Sequence, residues 1–244
     1  VRLWDPETGR ELGTLDGYTL GAKAVGFSPD GKVLAAGNGA GDIKLWDPET
    51  GLELGTLDDE FGSVESVAFS PDGRILASGG GGGKVNLWDV ESGRALRTLV
   101  ARANEIRSVV FDPTGSWLVS GGDGDLVQVW DPETGRELRR LRGHAGSMWG
   151  VDFSPDGRYL ASCSSAHLVK LWNMETGREL QTLIGHTGQV RGVAFSADGR
   201  FLASAGWDYT VKPWDPETGR EMRTLEGHSS RVSTVDIAPG RKAA

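Results

Sequence analysis

The sequence predicts an all-β protein built from repeated four-stranded antiparallel units. Three observations carry this: a 42-residue period without insertion or deletion, turn words at fixed phases within it, and strand-length segments between the turns. Trp4, Trp46, Trp88, Trp130, Trp172 and Trp214 mark the period, and the words that begin on them barely change: WDPETGREL, WDPETGLEL, WDVESGRAL, WDPETGREL, WNMETGREL and WDPETGREM. A second word runs out of phase with the first, as FSPDG at Phe27, Phe69 and Phe153, FDPTG at Phe111 and FSADG at Phe195. Both words are turns, in which Pro presets φ and the following Gly takes the left-handed conformation that closes a hairpin.

Four segments of strand length fill each period, and we name them a to d after the copy that shows them best. Strand a is VESVAFS from Val64, b is RILASGG from Arg74, c is KVNLWDV from Lys84 and d is ALRTLVA from Ala95. Alternating or β-branched apolar residues with turns every 8 to 12 residues mark antiparallel strands rather than helices. A unit that is apolar on both faces cannot stand alone, so successive units must cover one another and close on themselves.

Composition narrows the function. The 244 residues carry 26 Lys and Arg against 34 Asp and Glu, a net charge of -8 that disfavours nucleic acid as a partner. No apolar run approaches the roughly 18 residues of a membrane-spanning helix, so no membrane role is expected. Cys163 is the single cysteine, which excludes an intrachain disulfide and a Cys-rich zinc cluster. The first residue is Val1 rather than Met, so any leader of a precursor lies outside the sequence, and the compartment expected is the cytoplasm.

At this point the chain resembles the WD-repeat β-propeller family over nearly its whole length. The resemblance rests on the period, on the Gly-His pairs Gly143-His144 and Gly185-His186, and on the Trp-Asp pairs that close the repeats. It implies one WD-repeat domain over 1–244, with five complete blades and a sixth, composite blade. It also implies a hydrogen-bonded chain of His before strand a, Ser in b, Asp in the b–c turn and Trp in c. His186, Ser204, Asp208 and Trp214 supply all four; His144, Ser162 and Trp172 supply three, with Ala166 at the Asp position. Ser120 with Trp130 and Ser78 with Trp88 keep two, beside Arg102, Gly124, Glu60 and Gly82, and the first full repeat has Tyr18, Ala36 and Ala40. Rigidity is therefore expected to rise along the chain, with the repeat ending at Trp214 the firmest.

The composite blade would draw c from Val1–Asp5, d from Glu11–Leu15 and a from Arg231–Ile237, leaving strand b missing. Six periods need 252 residues, eight more than are present, and the C-terminal IAPGRKAA imitates the second turn word and stops. Two readings stay open: a six-bladed ring with a defective seam, or a fragment of a longer propeller. The fragment reading is favoured, and the open seam is expected to allow self-association. Pro213, where the other copies carry Leu or Val, removes a backbone donor from strand c, and a bulge is expected there.

Catalytic chemistry is weighed and set aside. His186, Ser204 and Asp208 are the residue types of a hydrolytic triad, but the register places this Ser inside the structural chain that ends on Trp214. The run Gly79–Gly83 lacks phosphate-loop spacing and reads as a flexible b–c turn. The histidines His144, His186 and His228 follow the period, His167 stands alone, and Asp123 with Asp125 lacks a calcium-loop context, so neither metal nor cofactor is expected.

Positions that vary between near-identical repeats are where specificity can be written without harming the fold. Trp117 aligns with Ile75, Tyr159 and Phe201 and belongs to the core, whereas Trp149 aligns with Lys23, Glu65, Arg107 and Arg191, and Trp207 with Gly39, Gly81, Asp123 and Ser165. These positions resemble the partner-contacting positions of the family's narrow face. The expected function is a non-catalytic scaffold presenting Arg107, Trp149, Arg191, Trp207 and Tyr209 to a protein or peptide. The alternative, small-ligand binding or hydrolysis at the central channel, is opposed by the small residues Ser66, Ser108, Gly150 and Gly192 on strand a.

Overall fold

A computed structural model describes residues 1–18, 21–58 and 62–237. Two compact units divide the chain, Val1–Val109 and Val110–Ala244. Alternation in sequence becomes strands throughout. β1 (Arg2–Trp4) and β2 (Glu11–Thr14) form a two-stranded sheet. The first full blade is β3 (Ala22–Phe27), β4 (Leu34–Asn38), β5 (Asp42–Trp46) and β6 (Glu53–Asp58). The second is β7 (Val64–Phe69), β8 (Ile75–Gly80), β9 (Lys84–Asp89) and β10 (Ala95–Val100), and the third is β11 (Ile106–Phe111), β12 (Leu118–Gly122), β13 (Leu126–Trp130) and β14 (Glu137–Arg142). The fourth comprises β15 (Met148–Phe153), β16 (Tyr159–Ser164), β17 (Leu168–Asn173) and β18 (Arg178–Ile184). The last sheet holds β19 (Val190–Phe195), β20 (Leu202–Gly206) and β21 (Val211–Trp214). In every sheet spatial order follows chain order, so each blade is an antiparallel meander.

Burial sorts the strands as the sequence does. Each b strand is buried from its leucine to its end, with only the first residues Ile75 of β8 and Tyr159 of β16 partly exposed, because it is flanked by a and c within the sheet. Its glycines are the seats for the next blade. A Cβ at Gly37 would press on Val64, one at Gly79 on Ile106 and Val109, and one at Gly121 on Met148. The core therefore lies between consecutive sheets. In the first unit Ala35, Ile43, Leu45 and Leu57 pack with Val64, Val67 and Leu76; in the second Val119, Val127, Val129 and Leu141 pack with Met148, Val151 and Phe153.

The a strands β3, β7, β15 and β19 are also bulged at their second residue. The a–b register slips between Ala22 and Ala24, Val64 and Ser66, Met148 and Gly150, and Val190 and Gly192, leaving Lys23, Glu65, Trp149 and Arg191 outside the ladder. A bulge frees a side chain from the pleat and re-aims it. The alignment position with the most varied chemistry is thus the position the backbone turns outward.

Three expectations need correction. Residues 231–237 form no strand; Val232 N–H instead donates to the Gly206 carbonyl at 3.2 Å. Ala238–Ala244 and Glu60, which entered the reading above, lie outside the described residues. Pro213 creates no bulge of its own: Ala203 pairs with Pro213 in unbroken b–c register, and the c–d slip beside the Trp occurs equally in β5, β13 and β17. Val211 exchanges both backbone bonds with Leu225, so Pro213 two residues on turns the same edge to strand d, where it accepts from Met222 but donates nothing. The loss falls on the outer ladder, which shrinks to the isolated bridges Val211–Leu225 and Trp214–Glu221. Finally, Gly79 and Gly80 are not a flexible turn. Both end β8, and a Cβ at Gly80 would overlap the Ser63 carbonyl. Close backbone approach, rather than flexibility, requires glycine there.

Candidate protein-binding surface

The four-residue chain forms in the last repeat. Trp214 Nε1–H donates to Ser204 Oγ at 2.8 Å, Ser204 Oγ lies 2.7 Å from His186 Nε2, and His186 Nδ1 lies 2.8 Å from Asp208 Oδ2. Asp208 is anchored in turn by the Thr187 N–H at 2.9 Å and the Thr210 hydroxyl at 2.8 Å. Against the penalty of burial, these bonds hold the Asp208 carboxyl down at about 2, while burial outweighs Asp208 and keeps the His186 imidazole below its ordinary value. The carboxylate fixes the proton on Nδ1, so the Ser204 hydroxyl donates to Nε2 and its oxygen accepts from the indole. Every polar atom in the chain has a partner, and Ser204 is fully buried. Its oxygen has no approach to a substrate.

The other repeats degrade stepwise. Trp172 Nε1 donates to Ser162 Oγ at 2.7 Å and Ser162 lies 2.8 Å from His144 Nε2, but Ala166 offers nothing and His144 Nδ1 is buried with no hydrogen-bond partner among the described residues. Trp130 to Ser120 and Trp88 to Ser78, each 2.9 Å, are the remnants in the middle repeats. The first repeat departs in a way that its alignment does not show. The Tyr18 hydroxyl donates to the Ala36 carbonyl and accepts from the Lys44 N–H at 3.0 Å, joining β4 to β5, while its ring meets Trp46 edge-on at 5.7 Å.

The variable positions come together within each unit. In the first, the Lys23 ammonium pairs with Glu65, and Arg107 Nη2 pairs with Glu105 at 2.7 Å. In the second, the Arg191 guanidinium lies between two indoles, 3.2 Å from the Trp149 ring centre and 3.7 Å from that of Trp207. Arg231, read in the sequence only as the start of a strand, also stacks on Trp207, 4.0 Å from its ring centre. Cations over indole faces gain about 0.5–2 kcal/mol each, depending on exposure. Trp149 and Trp207 are therefore half-buried, and Trp149 also packs on the core cluster around Val169 and Val190. Trp207 Nε1 and Gln189 Oε1 are buried with no hydrogen-bond partner among the described residues.

Beside the stack, Tyr209 is 49% exposed and sits at φ +68°, where two other copies carry Gly41 and Gly83, also at positive φ. A side chain costs roughly 1–3 kcal/mol in this region. The small residues of strand a serve packing. A Cβ at Gly150 would stand 3.2 Å from the Arg191 carbonyl, one at Gly192 3.0 Å from Thr234 Cα, and Ser66 Oγ accepts the Val109 N–H at 3.1 Å. Asp152, which sequence reasoning passed over, is another tie between blades, its carboxylate accepting the Phe195 N–H at 2.7 Å.

The family profile described as WD domain, G-beta repeat matches residues 9–47, 51–89, 93–131, 135–173 and 177–215. The chain belongs to the WD-repeat family. Its fold is the β-propeller class of four-stranded antiparallel blades, and WD repeats generally mediate protein–protein interaction as non-enzymatic scaffolds. A search of curated proteins finds no match. In WD-repeat terms, the conserved words of each copy build the blade, and the bulge residue and b–c turn carry what differs. Among the described residues no helix is long and apolar enough to cross a membrane, and no three His, Cys, Asp or Glu side chains gather as a metal site.

Proposed function

We propose that this chain is a non-catalytic scaffold that captures a protein or peptide on the surface around Trp207, Tyr209, Arg191 and Arg231, with Trp149 as its supporting wall. The observation that carries the reading is Tyr209, a half-exposed aromatic held at positive φ beside a stack of guanidinium groups and indoles. The turn imposes this conformation, since His167 takes φ +67° at the same position of the preceding repeat, so what sets the last repeat apart is the aromatic ring that its turn holds half-exposed beside the stack. The exposed guanidinium of Arg231, stacked on Trp207, can turn its in-plane N–H donors to a carboxylate, and the tyrosine ring beside it offers apolar contact. The favoured partner is therefore an extended segment with an acidic residue next to an apolar one. Arg107, in the first unit, carries the same residue type at the same alignment position.

The test is to select peptides against the folded chain from a display library and measure their affinities. Arg231→Ala should weaken the selected peptides about tenfold, the value of one charge-assisted contact, and should leave the melting temperature within about 2 °C because Arg231 is exposed. Unchanged affinity would remove this surface from consideration.

A further inference from the structure

We propose that the groove between the fourth blade and the sheet of β19, β20 and β21 is a second docking surface, which takes an extended segment of another protein with a basic residue next to an apolar one. The groove exists because of one position that varies between copies. After the Trp-Asp or Trp-Asn pair stand Pro48, Val90, Pro132, Met174 and Pro216. Met174 is 1% exposed and packs in the cluster that joins the third blade to the fourth, with Trp117 against the same cluster. Val90 packs together with Val33 against the cluster between the first and second blades. Each also ties its turn to strand b, the Val90 N–H donating to the Arg74 carbonyl at 3.0 Å and the Met174 N–H to the Arg158 carbonyl at 2.9 Å. Pro216 does neither: its ring is too short to fill the space and it has no N–H to give the Arg200 carbonyl. An open cavity of about 880 Å³ results, against about 450 Å³ where Val90 stands.

The lining selects the occupant. Tyr159, Phe201 and Pro216 line the cavity together with Leu180 and Met222, which are 48% and 53% exposed, and this surface suits an apolar side chain. Asp156, Asp198, Asp215 and Glu217 surround it, against the two guanidinium groups of Arg158 and Arg200, and Arg158 lies over the Tyr159 ring at 5.5 Å. The Ser196 hydroxyl and the Arg200 N–H hold the Asp198 carboxyl below its usual range, and the Thr218 N–H does the same for Asp215, so both stay anionic at neutral pH. A cationic side chain gains from this field and an acidic one is repelled. The demand is opposite in sign to that of the Trp207 surface. Phe201 directly precedes β20 and Trp207 directly follows it, so the two surfaces lie at opposite ends of one strand.

The experiment pans a display library of random dodecapeptides against the whole 244-residue chain and counter-selects on the chain carrying Pro216→Met, which supplies the filling that Met174 gives the preceding blade. Glu217→Lys takes over as counter-selector if Pro216→Met fails to fold. Surviving peptides should carry Arg or Lys beside an aromatic or aliphatic residue and bind one to one. Glu217→Lys, at an exposed residue, should weaken them about tenfold with Tm held within about 2 °C, whereas Arg231→Ala should leave their affinity unchanged. That last arm separates this groove from the Trp207 surface, so either can fail without the other. No peptide surviving the counter-selection, survivors of acidic character, an affinity indifferent to Glu217→Lys, or one lowered by Arg231→Ala would each overturn the proposal. Dimers of the free chain that Glu217→Lys disperses would overturn it as well, by making a second copy the occupant.

Discussion

Ser204→Ala lowers stability by about 3 kcal/mol, because one deletion strands two buried groups and each unsatisfied polar group costs about 1–3 kcal/mol. Trp214 Nε1–H loses its acceptor and His186 Nε2 loses its donor, both in positions that water does not reach. For a chain of this size the change corresponds to a fall in Tm of roughly 10 °C. Ser120→Ala is the internal comparison. Among the described residues its hydroxyl takes the Trp130 indole alone, at 2.9 Å, so the loss should be about half as large. Equal losses would show that the full chain of four adds nothing over the Trp–Ser pair, and a hydrolytic role for Ser204 would instead abolish an activity with Tm unmoved.

The second large effect concerns protons at His144. Burial first, and the nearby Lys170 ammonium second, push its imidazole down to about 4. The unfolded chain takes up this proton near pH 6.5 and the folded chain near pH 4, so stability is fully present above 6.5 and drains away as pH falls between those values. The loss is on the order of 3 kcal/mol for a shift of this size. Asp152 acts in the opposite sense. Burial raises its carboxyl to about 7, so the folded chain holds a proton that the unfolded chain releases, and stability grows as pH falls from 7 toward 4. A raw pH profile mixes the two, and a difference separates them. Ala166→Asp places at His144 the partner that Asp208 gives His186. Its gain over the wild type should be about 1 kcal/mol at pH 8, from one new hydrogen bond, and should increase toward pH 4.5 as the new carboxylate neutralises the imidazolium. Urea unfolding of both proteins at a series of pH values measures this. A gain independent of pH would mean that His144 does not resist protonation.

Much of this was legible in one dimension because the repeat is exact in length. The 42-residue spacing fixes which Ser meets which Trp, and the structure makes those bonds at each position where the sequence retains both residues. What was not legible depends on contacts between copies. Nothing in the word around Arg191 says that it fills the space between Trp149 and Trp207, because those rings come from a neighbouring blade and a neighbouring turn. The stacking of Arg231 and the inter-blade bond of Asp152 were not legible for the same reason. The effect of Pro213 was misplaced because sequence shows that a donor is missing but not which edge it faced, and the Gly79–Gly83 run was misread because composition does not distinguish a mobile glycine from one that a carbonyl presses against. The bulge at the second residue of strand a explains why varied side chains gather there, and it too appears only once the ladder is paired.

The most direct measurement is the pair of changes produced by Tyr209→Gly: affinity for a selected peptide and thermal stability, determined on the same protein. Glycine relieves the positive φ, so stability should rise by about 1 kcal/mol, while loss of the exposed ring should weaken the peptide about tenfold. Opposite signs are what a strained recognition residue requires. A stability that falls, or an affinity that does not change, would mean that Tyr209 belongs to the fold and that this surface is not where the WD-repeat scaffold meets its partner.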